Sequence, residues 1–302
     1  MKQSKYINDV LSQIYNEIYS TISTKTSNIF LCGSSLESSI NCFYCQGYNS
    51  QTMLPLRKRI KEGLEKDKRI KILFAENLFR NLVDIQNDYD FLQLENMLAD
   101  DKEVDVVIII LESVGAFVEL GAFTNIKQLR EKLLVVVNKK FQYDESFVNL
   151  GPIKILQKMN SNHIIYTDGD ISNENIKSIR KFTKKNNDFN ELSLSSIMTL
   201  YYFLQIYFNF FSPISIEDIK KHILFLDKNI KDDIHIKLNS ALNLLKRDGI
   251  IKQNSDFSYM LTKEGFDLVT KMKSENKLKF SDRYIFDKLR TSILNDRLRI
   301  NN

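Results

Sequence analysis

The sequence predicts an α/β protein: a flavodoxin- or Rossmann-like, doubly wound parallel sheet, followed by a smaller α+β unit of winged-helix type. Three observations carry that prediction. First, short apolar runs at 29–32, 70–74, 104–111, 133–137 and 163–166 alternate with helix-patterned stretches that include 56–66, 89–101 and 118–131. Strand–helix alternation of this kind implies a parallel sheet with helices on both faces, and five strands suit a flavodoxin-like order. Second, the run at 104–111 (VDVVIIIL) is almost unbroken, as expected of a central strand buried on both sides. Third, the alternation stops beyond residue 185, and helical segments lead instead into a short strand, a polar tip and a second strand.

Taken in order, residues 5–24 read as an amphipathic helix. Tyr6, Val10, Ile14, Ile18 and Ile22 recur at helical spacing beside Ile7, Leu11 and Tyr15. Such a stripe serves either to pack on a neighbouring domain or as an arm for self-assembly. The α/β domain is assigned to 26–185, after an N-terminal helix at 1–25. In its motif-bearing stretch, 104–123, Glu112 sits where the strand ends, and Gly115 and Ala116 make a compact turn. Glu119 then falls in the first turn of the next helix. The polar stretch 181–190 (KFTKKNNDFN) reads as a linker or an exposed helix end. The second domain is assigned to 192–302. It opens with a helix at 197–211 that carries seven aromatic residues; these are either core or an interface, or platforms for base stacking. Ser215 precedes Glu217 and Asp218 as an N-cap signature. A helix at 236–247 then leads to strands at 249–252 and 259–262 around a polar tip. Helix–helix–helix–hairpin is the order of a winged helix.

Composition sets the bounds. The chain has 302 residues, of which 43% are hydrophobic, with 20 Phe, enough for a sizeable core. Only 9 Gly and 3 Pro argue against a turn-rich all-β fold. There is no apolar run of the ~18 residues that a membrane span needs, and no hydrophobic signal core at the start, so a cytoplasmic protein is expected. Of the cysteines, Cys32, Cys42 and Cys45, the last two form half of a zinc-site pattern with no second pair, so ordinary thiols are expected. His163, His222 and His235 are far apart in sequence. The net charge of +5 is uneven: residues 171–302 carry 23 Lys and Arg against 16 Asp and Glu, and residues 1–170 carry 20 against 22. A basic C-terminal half suits a polyanionic partner, although Lys-rich composition alone can produce the same bias.

The candidate site residues cluster at the carboxyl ends of the expected strands, where ligands bind in open α/β sheets. Gly33, Ser34 and Ser35 follow the first strand as a small, backbone-exposing turn able to bond a phosphate or a base. Glu76 follows the second strand, either to bind a base or ribose or to cap the next helix. Glu95 lies on a helix. Glu112 and Ser113 lie at the end of the third strand, and Glu119 beyond them. Cleaving an N-glycosidic bond develops positive charge at the anomeric carbon, which a carboxylate can stabilise or attack. A helix N-terminus would favour the ionised form that a nucleophile needs. Asp105 begins its strand at the wrong end for ligand contact and reads as structural.

The segment Glu119-Leu120-Gly121-Ala122-Phe123, with an acid at the preceding strand end, resembles the nucleoside 2-deoxyribosyltransferase family. IFLCGSS at 29–35, LFAENLF at 73–79, LQLENMLAD at 92–100 and SFVNLGPIKILQKMN at 146–160 together narrow the resemblance to effector proteins of bacterial retrons. The match covers about half the chain; beyond it, architecture matches more than residues. The resemblance implies that Glu119 is the nucleophile, that Glu112 grips sugar hydroxyls, and that Glu95 supports the site. Glu112 stands where Asp is more usual, which puts the identity of the sugar in question.

The resemblance also implies a toxin of an antiphage system, restrained by a reverse transcriptase with its RNA-linked single-stranded DNA, and assembly into homo-oligomers or larger complexes. No cofactor is expected; NAD⁺ enters as substrate. Its nicotinamide is already cationic and leaves without protonation, and no histidine lies near these motifs, so NAD⁺ hydrolysis is favoured over cleavage of an ordinary nucleoside. Two alternatives stand beside it: a deoxyribosyltransferase or deoxynucleotide N-glycosidase, and a non-catalytic nucleotide sensor that binds nucleic acid.

Overall fold

The computed structural model describes residues 2–21, 26–36, 55–83, 90–183, 193–230, 233–274 and 284–300. Cys42, Cys45, Ile22 and most of the 181–190 stretch lie outside them. The chain divides into two compact units. One comprises Lys25–Asn190; the other joins Met1–Thr24 to Glu191–Asn302.

The first helix of the chain, α1 (Lys2–Gln13), continues through further helical turns to Thr21 and belongs to the second of these units. The α/β unit then runs β1 (Ser27–Cys32), α2 (Leu56–Glu65), β2 (Ile70–Leu73), α3 (Ala75–Val83), α4 (Phe91–Asp100), β3 (Val106–Ile110) and α5 (Val114–Asn125). It closes with β4 (Leu133–Asn138), α6 (Lys154–Met159), β5 (Ile164–Thr167) and α7 (Asn173–Thr183). All strand pairs are parallel and the order is β2-β1-β3-β4-β5. This is a Rossmann-like sheet whose strand order reverses between β1 and β3.

Burial explains the sequence pattern. Every residue of β1, β3 and β4 is buried, while β2 and β5, at the edges, are not completely so. On one face, Ile29, Leu31, Ile108 and Ile110 pack with Leu56, Ile60 and Leu64 of α2 and with Ile176 and Ile179 of α7. The alternate residues face the other way, where the ring centroid of Phe30 lies 6.3 Å from that of Phe123 on α5. At the amino end of the sheet, the Asp105 carboxylate accepts from the backbone N–H of Asn28 at 2.8 Å, a structural tie between neighbouring strands.

The second unit contains α8 (Ile197–Phe211), α9 (Ile216–Leu226), α10 (Ile234–Arg247), β6 (Ile251–Gln253), β7 (Tyr259–Leu261), α11 (Lys263–Ser274) and α12 (Ile285–Ile300). β6 and β7 form an antiparallel hairpin, and Ile214 bridges to Tyr259 beside it. Every residue of α8 is buried, so its aromatics are core and none is a platform for stacked bases. Phe203 meets Tyr15 and Tyr19 edge-on, and Phe210 stacks on Phe286 of α12. Of the stripe on residues 5–24, Val10, Leu11, Ile14 and Ile18 are buried, and the Tyr19 hydroxyl donates to the Thr199 carbonyl of α8 at 3.0 Å. Ser215 caps α9 by accepting from the Asp218 N–H. No helix among the described residues is long and apolar enough to cross a membrane.

Candidate active site

At the carboxyl end of the sheet, near the β1/β3 switch, lies a cavity of ≈ 290 Å³. Phe30, Cys32 and Gly33 bring to it the end of β1 and the turn after it, with Ser35. Four helices bring Arg57 (α2), Glu76 (α3), Phe91 and Glu95 (α4), and Glu119 (α5). Gly33, Glu76, Glu95 and Glu119, scattered over 87 positions of sequence, therefore meet in one place.

Glu119 does not sit where the sequence suggested. α5 begins at Val114, with Ser113 as N-cap accepting from the Ala116 N–H at 3.4 Å. The helix thus starts four residues before the expected 118, absorbs Gly115 and Ala116, and leaves Glu119 in its second turn. The free N–H groups and the dipole act mainly over the first turn, so they do not govern this carboxyl. Burial does. It pushes Glu119 up to about 7; Arg57 opposes the rise, Glu76 adds to it, and a hydrogen bond from Cys32 lowers it. Glu119 Oε2 is buried without a hydrogen-bond partner, an acceptor waiting for a group to face.

Glu95 is 7% exposed. Burial, then Glu119 and Glu76, push its carboxyl up to about 8, with Arg57 opposing. Burial thus favours its protonated form, which makes Glu95 a candidate proton donor in a site with no histidine among its lining residues. The Cys32 thiol is also held neutral, raised first by burial and next by Glu119. It is a hydrogen-bond donor here, not a thiolate.

Ser34, Glu112 and Ser113 lie outside the cavity lining. Glu112 is fully buried. Its Oε1 accepts from Ser34 Oγ at 2.6 Å and from the Arg57 N–H at 3.2 Å, and its Oε2 accepts from the Leu56 N–H at 3.2 Å. Leu56 and Arg57 are the first two residues of α2, whose N-cap position is Pro55, a residue with no side-chain acceptor. Glu112 thus caps α2 from the end of a different strand. Gly33 makes this closeness possible. Its φ is +151°, and a Cβ there would lie 3.3 Å from Ile110 Cβ and 3.4 Å from both Arg57 Cδ and Glu112 Oε1.

Arg57 escaped the sequence reading, because LRKRIKEG looks like the solvated side of an amphipathic helix. A signal was present: Arg57 shares a face with Ile60 and Leu64, at i+3 and i+7. It is 4% exposed and pairs with both oxygens of Glu76, at 2.8 and 3.1 Å. Phe30, Cys32 and Phe91 were also missed as lining residues; in sequence they are ordinary core positions. Among the described residues no group of three or more His, Cys, Asp or Glu side chains could hold a metal ion.

Residues 54–253 match the family described as STM3845 retron effector protein. A stretch of 128 residues is 39% identical to the "Retron Ec86 putative ribosyltransferase/DNA-binding protein" of Escherichia coli, covering 42% of this chain and 40% of that protein. A stretch of 93 residues is 43% identical to the "Retron Ec73 putative ribosyltransferase/DNA-binding protein", also of Escherichia coli, covering 30% of this chain and 26% of the relative. The chain therefore matches less than half the length of either curated relative.

Proposed function

The chain belongs to the STM3845 retron effector family, and from that premise we propose that it is a defence effector that cleaves the N-glycosidic bond of a nucleotide, with NAD⁺ as substrate and Glu119 as nucleophile. One observation carries the reading: Glu119 lines a cavity at the sheet's ligand-binding end, and its Oε2 is buried there without a hydrogen-bond partner. In the reaction, a Glu119 oxygen bonds to the anomeric carbon as the carbon–nitrogen bond breaks and its electron pair leaves with the base. Water then attacks the same carbon, loses its proton to solvent, and the ester's electron pair returns to Glu119.

Arg57 and Glu76 balance each other as an ion pair, which leaves Glu119 as the carboxyl that a cationic leaving group would face. Glu76, Glu95 and Glu119 line it with Arg57 as the cation among the lining residues. A nicotinamidium placed beside Glu119 lowers the cost of its ionisation, so substrate binding itself activates the nucleophile. Phe91, 38% exposed at the rim, offers a face for the ring. Gly33 and Ser35 suit contacts with sugar or phosphate, and Ser34, Glu112 and Ser113 hold the loops around them. The test is product mass spectrometry of the purified chain with NAD⁺ and with a panel of deoxynucleosides and deoxynucleotides. Free nicotinamide that disappears with Glu119→Gln is expected; its persistence in that variant sinks the assignment.

A second reading, a deoxyribosyltransferase or deoxynucleotide N-glycosidase, is favoured by the protonated Glu95. An acid of that kind can donate to a neutral base that would otherwise leave poorly, and release of free nucleobase would support it. A third, a non-catalytic nucleotide sensor that binds nucleic acid, is left if no substrate is turned over.

For the second unit we propose a winged-helix-like module that docks on the retron's reverse transcriptase and its RNA-linked single-stranded DNA and so restrains the enzyme. The α8–α10 helices, the β6–β7 hairpin and the extra bridge at Ile214 support that reading. Self-association is proposed as well. Val114 and Val118 of α5 are 64% and 57% exposed, on the helix that carries Glu119.

A further inference from the structure

We propose that Arg57 is the positioning residue of this site: its guanidinium clamps the end of β1 and the following turn to Glu76, and so sets the charge that the reacting carboxyls face. The geometry uses the whole group. Nε and Nη2 donate to the Leu31 carbonyl at 3.1 and 2.6 Å, and Nη1 donates to the Ser34 carbonyl at 3.1 Å. Nη1 and Nη2 complete the set with Glu76 Oε1 at 2.8 Å and Oε2 at 3.1 Å. All five N–H groups donate, to four acceptor atoms with the Leu31 carbonyl taking two, so none is left for substrate. The plane is held from beneath by Phe74, with Cζ 4.9 Å from the ring centroid. Its backbone N–H is fixed in turn by Glu112 at 3.2 Å. A lysine would preserve the charge, but three donors on one atom cannot span acceptors on β1, the turn and α3.

The residue thus acts through others. The titratable groups around it come from every element at the cavity: Cys32 on β1, Glu76 on α3, Glu95 on α4 and Glu119 on α5. Arg57 favours the ionised form of Glu119 and Glu95, and Glu76 opposes it. The clamp is therefore a fixed balance of one cation against one anion, built into the cavity wall. The proposal rests on Glu119 as the reacting group.

Carbon-13 NMR titration of glutamate-labelled full chain tests it, with Glu119 and Glu95 assigned by their Gln variants. In Arg57→Gln both midpoints are expected to rise by about one pH unit or more. In Glu76→Gln, which keeps the guanidinium, both are expected to fall. Arg57→Lys is expected to lie between wild type and Arg57→Gln. The pH–rate profile should follow, its acidic limb moving with the Glu119 midpoint and the change falling on kcat rather than KM. Unmoved midpoints in a folded Arg57→Gln chain would overturn the proposal. Should that variant not fold, unmoved midpoints in Glu76→Gln overturn it equally. The titration needs no turnover, so failure of the clamp is distinct from failure of the catalytic reading, which Glu119→Gln tests by itself.

Discussion

Glu119 and Glu95 share a low-dielectric cavity, and the cost of their ionisation shapes both chemistry and stability. Glu119→Gln should reduce turnover by about a thousandfold or more, because amide oxygen is a poor nucleophile; product release measured beside an unchanged circular dichroism spectrum checks it. The pH dependence of stability has a definite sign. Both folded-state values, about 7 and about 8, lie above the ordinary 4.5. The folded chain therefore holds more protons than the unfolded chain between those limits, and stability falls as pH rises through them. Glu95→Gln removes a destabilising ionisation on the order of a few kcal/mol at alkaline pH. Its thermal midpoint should exceed that of wild type at pH 9 and match it at pH 5. Equal midpoints at pH 9 would show that Glu95 titrates normally.

Individual elements depend on close approaches that composition does not reveal. Gly33 holds a φ of +151° in the turn after β1. Gly33→Ala should cost about 1–3 kcal/mol and impair activity, since the strain falls between Arg57 and Glu112; denaturant midpoints and turnover rates together check this. In the second unit, α11 approaches the residue before β6 at Gly265, where an added Cβ would lie 2.3 Å from the Ile250 carbonyl oxygen. Backbone cannot yield as a side-chain tip does, so Gly265→Ala should displace the helix and lower the thermal midpoint. α8 is the core of this unit. Phe203 is fully buried among Tyr15, Tyr19 and Tyr207, and Phe203→Ala should cost about 3–5 kcal/mol by urea unfolding.

On the scale of the whole chain, charge separates the halves: residues 171–302 hold 23 basic and 16 acidic residues. If this excess contacts a polyanion, binding of single-stranded DNA by the full chain should weaken about tenfold or more between 50 and 200 mM salt. Fluorescence anisotropy across that range checks it, and salt-independent affinity would mean that the basic residues serve solubility instead. The proposed restraint of the enzyme by a retron complex makes the same excess a docking surface rather than a site of chemistry.

The α/β architecture was legible because periodicity reports burial. The unbroken apolar runs became β1, β3 and β4, and the alternation became their parallel order. Gly33, Glu76 and Glu119 were legible as candidates because strand ends are ligand-binding positions and their types suit glycosyl chemistry; Glu95, on a helix, was a candidate through the family resemblance. Tertiary structure decided the rest. The start of α5 depended on a weak local choice, Ser113 as cap, which moved Glu119 out of the first turn. The environment of Glu112 depended on α2, whose proline N-cap left N–H groups for a distant carboxylate to satisfy. Arg57 reads as a solvated charge until β1, the turn after it and α3 bring four acceptors around it. Periodicity is a property of neighbours along the chain, and so the sequence by itself determined the layers. The protonation of Glu119 and Glu95 depends on which charges and which solvent reach them through space, and only the folded cavity determines that.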